Sequence, residues 1–104
     1  MVFIETPLFS KRVKELLADE DYAKFQQTLA NHPDVGDLIQ GTGGLRKARV
    51  ATQGRGKRGS ARVIYYHFTA ASQIALLMIY AKNEQADLSA DQREALRRIV
   101  QHWS

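Results

Sequence analysis

A single run of residues constrains this chain more than any other feature. From Ser72 to Ala81 the sequence is almost unbroken in apolar side chains, and its heart, Ile74 to Tyr80, carries no charge at all. That stretch is far too short to cross a bilayer, which takes about 20 apolar residues in a helix. It has strand length and β-branched content, and it predicts a central strand around which other elements must be arranged. Ala61 to Phe68 is also rich in β-branched and aromatic residues and predicts a second strand. Leu45 to Thr52 alternates, with Ala48 and Val50 on one side and Lys47 and Arg49 on the other, as a half-buried strand requires. Three strands with short connections suit an antiparallel meander with helices over one face.

The N-terminal half supplies the helices. Val2 to Glu5 reads as a short strand, and Thr6-Pro7 is a helix start, with Thr as N-cap and Pro in the first turn. Phe9, Val13, Leu16 and Leu17 recur at helical spacing, and Tyr22, Phe25 and Leu29 do so again after Asp19-Glu20-Asp21, whose charges suit a helix N-terminus. Asn31-His32-Pro33 ends the second helix. All seven glycines fall between Gly36 and Gly59, in two clusters that mark loops. Ser89-Ala-Asp-Gln92 is a capping box, and Leu96, Ile99, Val100 and Trp103 form the apolar stripe of a last helix. The predicted order is β-α-α-β-β-β-α. This is an α+β fold with a small, mainly antiparallel sheet, an N-terminal helical hairpin and a C-terminal helix, in one domain over residues 1–104.

Charge narrows the function. Between Leu38 and Asn83 there is no Asp or Glu, while Arg46, Lys47, Arg49, Arg55, Lys57, Arg58, Arg62 and Lys82 all fall there, so this block is +8 and the flanks sum to −4 within a formal net charge of +4. Such a distribution points to a face for a polyanion. There are no cysteines, which removes disulfides, thiolate nucleophiles and cysteine-ligated metals. His32, His67 and His102 show no ligand spacing, so no metal is expected. Gly54-x-Gly56-x-x-Gly59 matches a dinucleotide fingerprint in form, yet it is followed by a strand and no acid appears before Glu84, so no nucleotide cofactor is expected either. With no secretory leader pattern at the N-terminus, a cytoplasmic protein without membrane contact is expected.

What remains is the basic set itself. Lys47 and Arg49, two apart on a strand, share a face, and an antiparallel hairpin brings Arg62 beside them. A solvated charged strand face is the ordinary reading of one Lys/Arg pair. Eight cations with no acid across two strands and their loop repel one another unless an anion sits among them, which favours phosphate binding. Tyr65, Tyr66, Phe68 and Tyr80 lie on the same strands. Most belong in the core, while one or two, Tyr65 among them, are candidates to stack on a base.

Gly41-Thr-Gly-Gly-Leu-Arg-Lys-Ala-Arg, Gly54-Arg-Gly-Lys-Arg-Gly, Arg62-Val-Ile-Tyr-Tyr and Tyr80-Ala-Lys-Asn-Glu-Gln-Ala-Asp-Leu, in this order and spacing, resemble the HigB branch of the RelE toxin superfamily. The similarity runs from the first strand to the final helix. The resemblance implies a RelE-like fold and metal-free cleavage of mRNA in the ribosomal A site. It also implies neutralisation by a helix-turn-helix, HigA-like antitoxin, with the 30S subunit, its 16S rRNA and mRNA as the other partners and operator DNA reached only through the antitoxin. By position, Lys47 and Arg49 match the paired basic residues of the second family strand, Arg62 the arginine that opens the third, and Lys82 the basic residue after the last. The sequence departs from the family in having Asn83 in place of a second arginine and Leu88-Ser89 in place of a C-terminal tyrosine. The resemblance therefore supplies no general base. Arg46, Arg55, Lys57 and Arg58 are expected to contact RNA or ribosome. Arginine, always charged and forked, suits phosphate, which favours Arg49 and Arg62 as transition-state cations. Lysine can give up its proton, so Lys47 and Lys82 are the candidates for base or acid, the assignment between them open. A non-catalytic nucleic-acid-binding module, or a domain that docks an acidic protein, needs the same basic face without the proton transfer.

Overall fold

Thr6 opens the first helix as its sequence predicts. In the computed structural model, which describes residues 1–51 and 60–103, β1 (Val2–Glu5) leads into α1 (Pro7–Leu16). The Thr6 hydroxyl accepts the Phe9 N–H at 3.1 Å and donates to the Leu77 carbonyl at 2.8 Å, so one cap fastens the helix start to a strand 71 positions away. α2 (Asp19–Asn31) has Asp19, Glu20 and Asp21 in its first turn and ends before Pro33. β2 (Asp37–Leu38), β3 (Arg46–Ala51), β4 (Ser60–Phe68) and β5 (Gln73–Ala81) follow, and α3 (Ala90–Gln101) closes the chain. Ser89 and Gln92 make the capping box in both directions. Among the described residues no helix is long and apolar enough to cross a membrane.

The strands form one five-stranded sheet in the order β1-β5-β4-β3-β2. β3, β4 and β5 are the predicted antiparallel meander, while β1 lies parallel to β5 on its far side. The apolar strand β5 is thus interior, though the middle position falls to β4. β2 has no counterpart in the sequence reading. Its two residues pair only with Lys47 and Arg46, too short a ladder to leave an alternation.

The expectation of helices over one face is corrected, because this sheet is covered on both. Phe9 and Val13 of α1 and Phe25 and Leu29 of α2 pack on Ala48, Val50, Val63 and Ile74, whereas Leu96 of α3, with Val100 and Trp103, packs on Leu45, Ile64, Leu77 and Tyr80. The cause lies in β5, where Ile74, Ala75, Leu76 and Leu77 are each at most 1% exposed. A strand apolar on both faces needs a layer on each, and every fully buried Leu, Ile or Phe contributes roughly 1.5–3 kcal/mol. Within the α3 stripe Ile99 does not belong to the buried face; it is 40% exposed.

One irregularity sets the facing of the sheet beyond its middle. Ile64 pairs with Met78 but Tyr65 pairs with Leu76, leaving Leu77 as an extra residue on β5. Leu77 and Met78 therefore both face α3. The β-bulge reverses the count, so that Ile74 faces α1 and α2 while Tyr80 faces α3.

Candidate active site

The β3–β4–β5 register assembles the basic residues. Arg49 stands opposite Arg62, and Arg62 opposite Tyr80, so these three form one row across the sheet. Lys47, Ile64 and Met78 form the next row on the same face, two positions along. Lys47, Arg49 and Arg62 therefore share a face, as alternation predicts, with Ala48 and Val50 turned into the core beneath α2. That face is not wholly open, because α3 covers part of it. The cations lie where its cover ends, Arg49 exposed and Lys47 and Arg62 partly so. Lys82 follows β5 directly and is exposed. Its N–H donates to the Ser60 carbonyl at 3.0 Å, while the Ser60 hydroxyl accepts Arg62 Nη1 at 2.9 Å, so Ser60 links the two positions.

Like charges directly opposite one another weaken a sheet, and among the described residues no carboxylate makes an ion pair with Arg49, Arg62 or Lys82. Lys47 is different. Its Nζ lies 3.3 Å from Asp87 Oδ1, which also accepts the Leu88 N–H at 2.8 Å. That backbone donor is the main cause holding the Asp87 carboxyl below the usual carboxylate range; burial, next in size, opposes it, and Lys47 and then Arg93 add to the lowering. Beside this ion pair lies a cavity of about 260 Å³, lined by Ile39, Gln40, Lys47, Asp87 and Arg93 among others. A larger groove, about 460 Å³, runs along the other side of β3 between Phe25, Val35, Lys47 and Arg49.

The segment between β5 and α3 is fixed at a second point. Glu84 Oε1 accepts the Ala81 N–H at 2.8 Å, and both its carboxylate oxygens take Arg12 Nη2 of α1, at 2.6 and 2.7 Å. Lys82 and Asp87 are therefore carried by a loop tied to α1 at Glu84 and to β3 at Asp87.

One expected RNA contact is corrected. Tyr65 is fully buried on the α1/α2 face, its hydroxyl accepting the Gly36 N–H at 2.9 Å and donating to the Pro33 carbonyl at 2.7 Å, so its ring is closed to a base. Arg46 Nη1 donates to the carbonyls of Asp34 and Gly36 at 3.1 and 2.7 Å. Its guanidinium holds the α2–β2 connection in place. Arg55, Lys57 and Arg58 lie outside the described residues. Sequence reading missed Asp87 and the place of Tyr80. The first had only its position soon after Lys82 as a signal, and the second was hidden by the bulge. No group of His, Asp or Glu among the described residues is arranged to hold a metal ion.

A model of the family described as the RelE toxin of the RelE/RelB toxin–antitoxin system matches residues 2–104. The chain belongs to this toxin family. A mutant of the E. coli toxin RelE, solved in the free state, superposes with a TM-score of 0.62 at 14% identity, covering 94% of this chain and 96% of that one. The two share the RelE fold, and the row of cations described above sits on a RelE toxin sheet.

Proposed function

We propose that this chain is the toxin of a type II toxin–antitoxin module, a metal-free, ribosome-dependent endoribonuclease that cleaves mRNA in the A site of the 30S subunit and so arrests translation. The observation that carries the reading is the row of Arg49 opposite Arg62, without an ion-pair partner among the described residues, with Lys47 and Lys82 at its margins, on the sheet of a RelE-family toxin. Such a row is costly to a sheet that binds nothing and well matched to one that binds phosphate. The 2′-oxygen of one nucleotide attacks the adjacent phosphorus, the 2′-O–P bond forms and the P–O5′ bond breaks. The products are a 2′,3′-cyclic phosphate and a 5′-hydroxyl. Arg49 and Arg62 hold the phosphate and the charge that grows on it. Lys47 and Lys82 are the proton-transfer candidates, one taking the 2′-OH proton and the other supplying the 5′-oxygen. Alignment of the strand by the ribosome supplies much of the rate.

The same reading places the protein in the cytoplasm, in the HigB branch, with a helix-turn-helix HigA-like antitoxin as its inhibitor and with operator DNA met only through that partner. Arg55, Lys57 and Arg58, outside the described residues, are its candidate contacts to ribosomal RNA.

Arg62→Ala is the test. Loss of one cation at the phosphorane slows cleavage about 10²–10³-fold, by analogy with loss of an oxyanion-hole donor. The guanidinium's hydrogen bond in the fold is to Ser60, so the mutant is expected to melt close to wild type. Single-turnover cleavage of mRNA on programmed ribosomes, beside thermal melts, reads both quantities. A wild-type chain that binds ribosomes and leaves the mRNA whole would mark a non-catalytic binder. An Arg62→Ala protein that cuts at the wild-type rate removes Arg62 from the site.

A further inference from the structure

Tyr80 is the third member of the arginine row, and its hydroxyl is an anomaly. The side chain is 2% exposed and packed with Ile64, Leu77 and Leu96. Its oxygen is shut off from solvent and, among the described residues, has no hydrogen-bond partner. A buried hydroxyl without a partner destabilises a protein, and phenylalanine would fill the same space without that penalty. The charged groups whose fields reach the phenol are Asp87, which strengthens its hold on the proton, and Arg62, which weakens it, both secondary to burial, which strengthens it. At neutral pH the group is thus a donor and not a base. What it lacks is an acceptor, and its cross-strand neighbour is Arg62, which stands opposite Arg49.

Resting on the functional reading above, we propose that the Tyr80 hydroxyl is a catalytic hydrogen-bond donor kept for a phosphate oxygen of the RNA bound by Arg49 and Arg62, and that the Lys47–Asp87 ion pair is the closed contact which the incoming phosphate replaces. The second half answers the question of access. Asp87 holds Lys47 as an anion would, and it stands on the loop after β5, the strand that carries Tyr80. An exposed ion pair of this kind is weak, so a phosphate that takes Lys47 frees the Asp87 loop, and with that loop, which leads through Leu88 of the Tyr80 cluster, the hydroxyl is opened. The Tyr80 proton stays on its oxygen throughout. Its hydrogen bond strengthens as charge accumulates on the phosphorane oxygens, which is what makes it catalytic and not merely binding.

The experiment uses the full chain and programmed ribosomes, with cleavable mRNA for rates and an A-site codon carrying a 2′-deoxy nucleotide for binding. Tyr80→Phe is expected to melt at or above the wild-type temperature, to bind the deoxy complex as wild type does, and to cleave about 10²-fold more slowly. Asp87→Asn keeps an acceptor for the Leu88 N–H while releasing Lys47, and is expected to bind the deoxy complex several-fold more tightly. A wild-type chain that cuts while Tyr80→Phe cuts equally fast overturns the assignment of Tyr80 and leaves the functional reading standing. So does a Tyr80→Phe protein that loses activity together with its melting temperature, since the hydroxyl would then serve the fold. Unchanged affinity in Asp87→Asn overturns the exchange at Lys47. A wild-type chain that leaves mRNA whole removes the functional reading, and this proposal with it.

Discussion

Tyr65 heads the wholly buried side chains by size, and its hydroxyl serves two backbone groups at once, accepting from Gly36 N–H and donating to Pro33 C=O. Tyr65→Phe leaves that glycine N–H buried without an acceptor, an expected loss of about 1–3 kcal/mol, and at this chain length each kcal/mol lowers the melting temperature by about 4–8 °C. Thermal melts check it, and an unchanged Tm would show that the bond contributes nothing net. The approach is also steric: a Cβ on Gly36 would stand 2.9 Å from the Tyr65 ring. The facing of Tyr65 was in fact legible. Alternation counted from Arg62 turns Ile64 and Tyr66 to the side of the cations and Tyr65 away from it. Arg46 was not legible in the same way, because its two carbonyl partners belong to the irregular connection after α2, which no periodicity describes.

The helices were readable because their ends are written locally. Thr6-Pro7 and the Ser89–Gln92 box act through atoms three positions apart, within reach of any single-sequence argument. Ser89→Ala is expected to cost about 0.5–2 kcal/mol and to loosen α3, just past whose end Trp103 stacks on Phe68 with ring centroids 5.8 Å apart. Trp103 emission should shift on mutation before global unfolding. Emission and melting temperature both equal to wild type would mean that packing, not the cap, holds this helix. Which sheet face each helix covers was not written locally. An amphipathic stripe says that a surface is buried but not against what, and the parallel pairing of β1 with β5 depends on residues 71 positions apart.

Across the molecule, Glu84 and Asp87 bind the loop after β5 to α1 and to β3, and both carboxyls are held below their ordinary values, each first by a backbone N–H, that of Ala81 for Glu84 and that of Leu88 for Asp87. A depressed folded pKa contributes stability that is complete above the ordinary values of 4.5 and 3.8 and is lost as pH falls through the lower, folded ones. We therefore expect a melting temperature that is level toward neutral pH and falls on acidification below about pH 4. The fall should be smaller in Glu84→Gln. A double mutant, Glu84→Gln with Asp87→Asn, whose acid profile matches wild type would show that other carboxylates govern it. The bulge at Leu77 bears on a different matter, the length of the chain. It holds one residue in reserve. A deletion there straightens the ladder, Met78 takes the vacated place, and Tyr80 still meets Arg62. An insertion has no such slack and must either build a second irregularity or turn the end of β5 over, so variants of this protein that differ in length within the strand should be shorter by one residue and not longer.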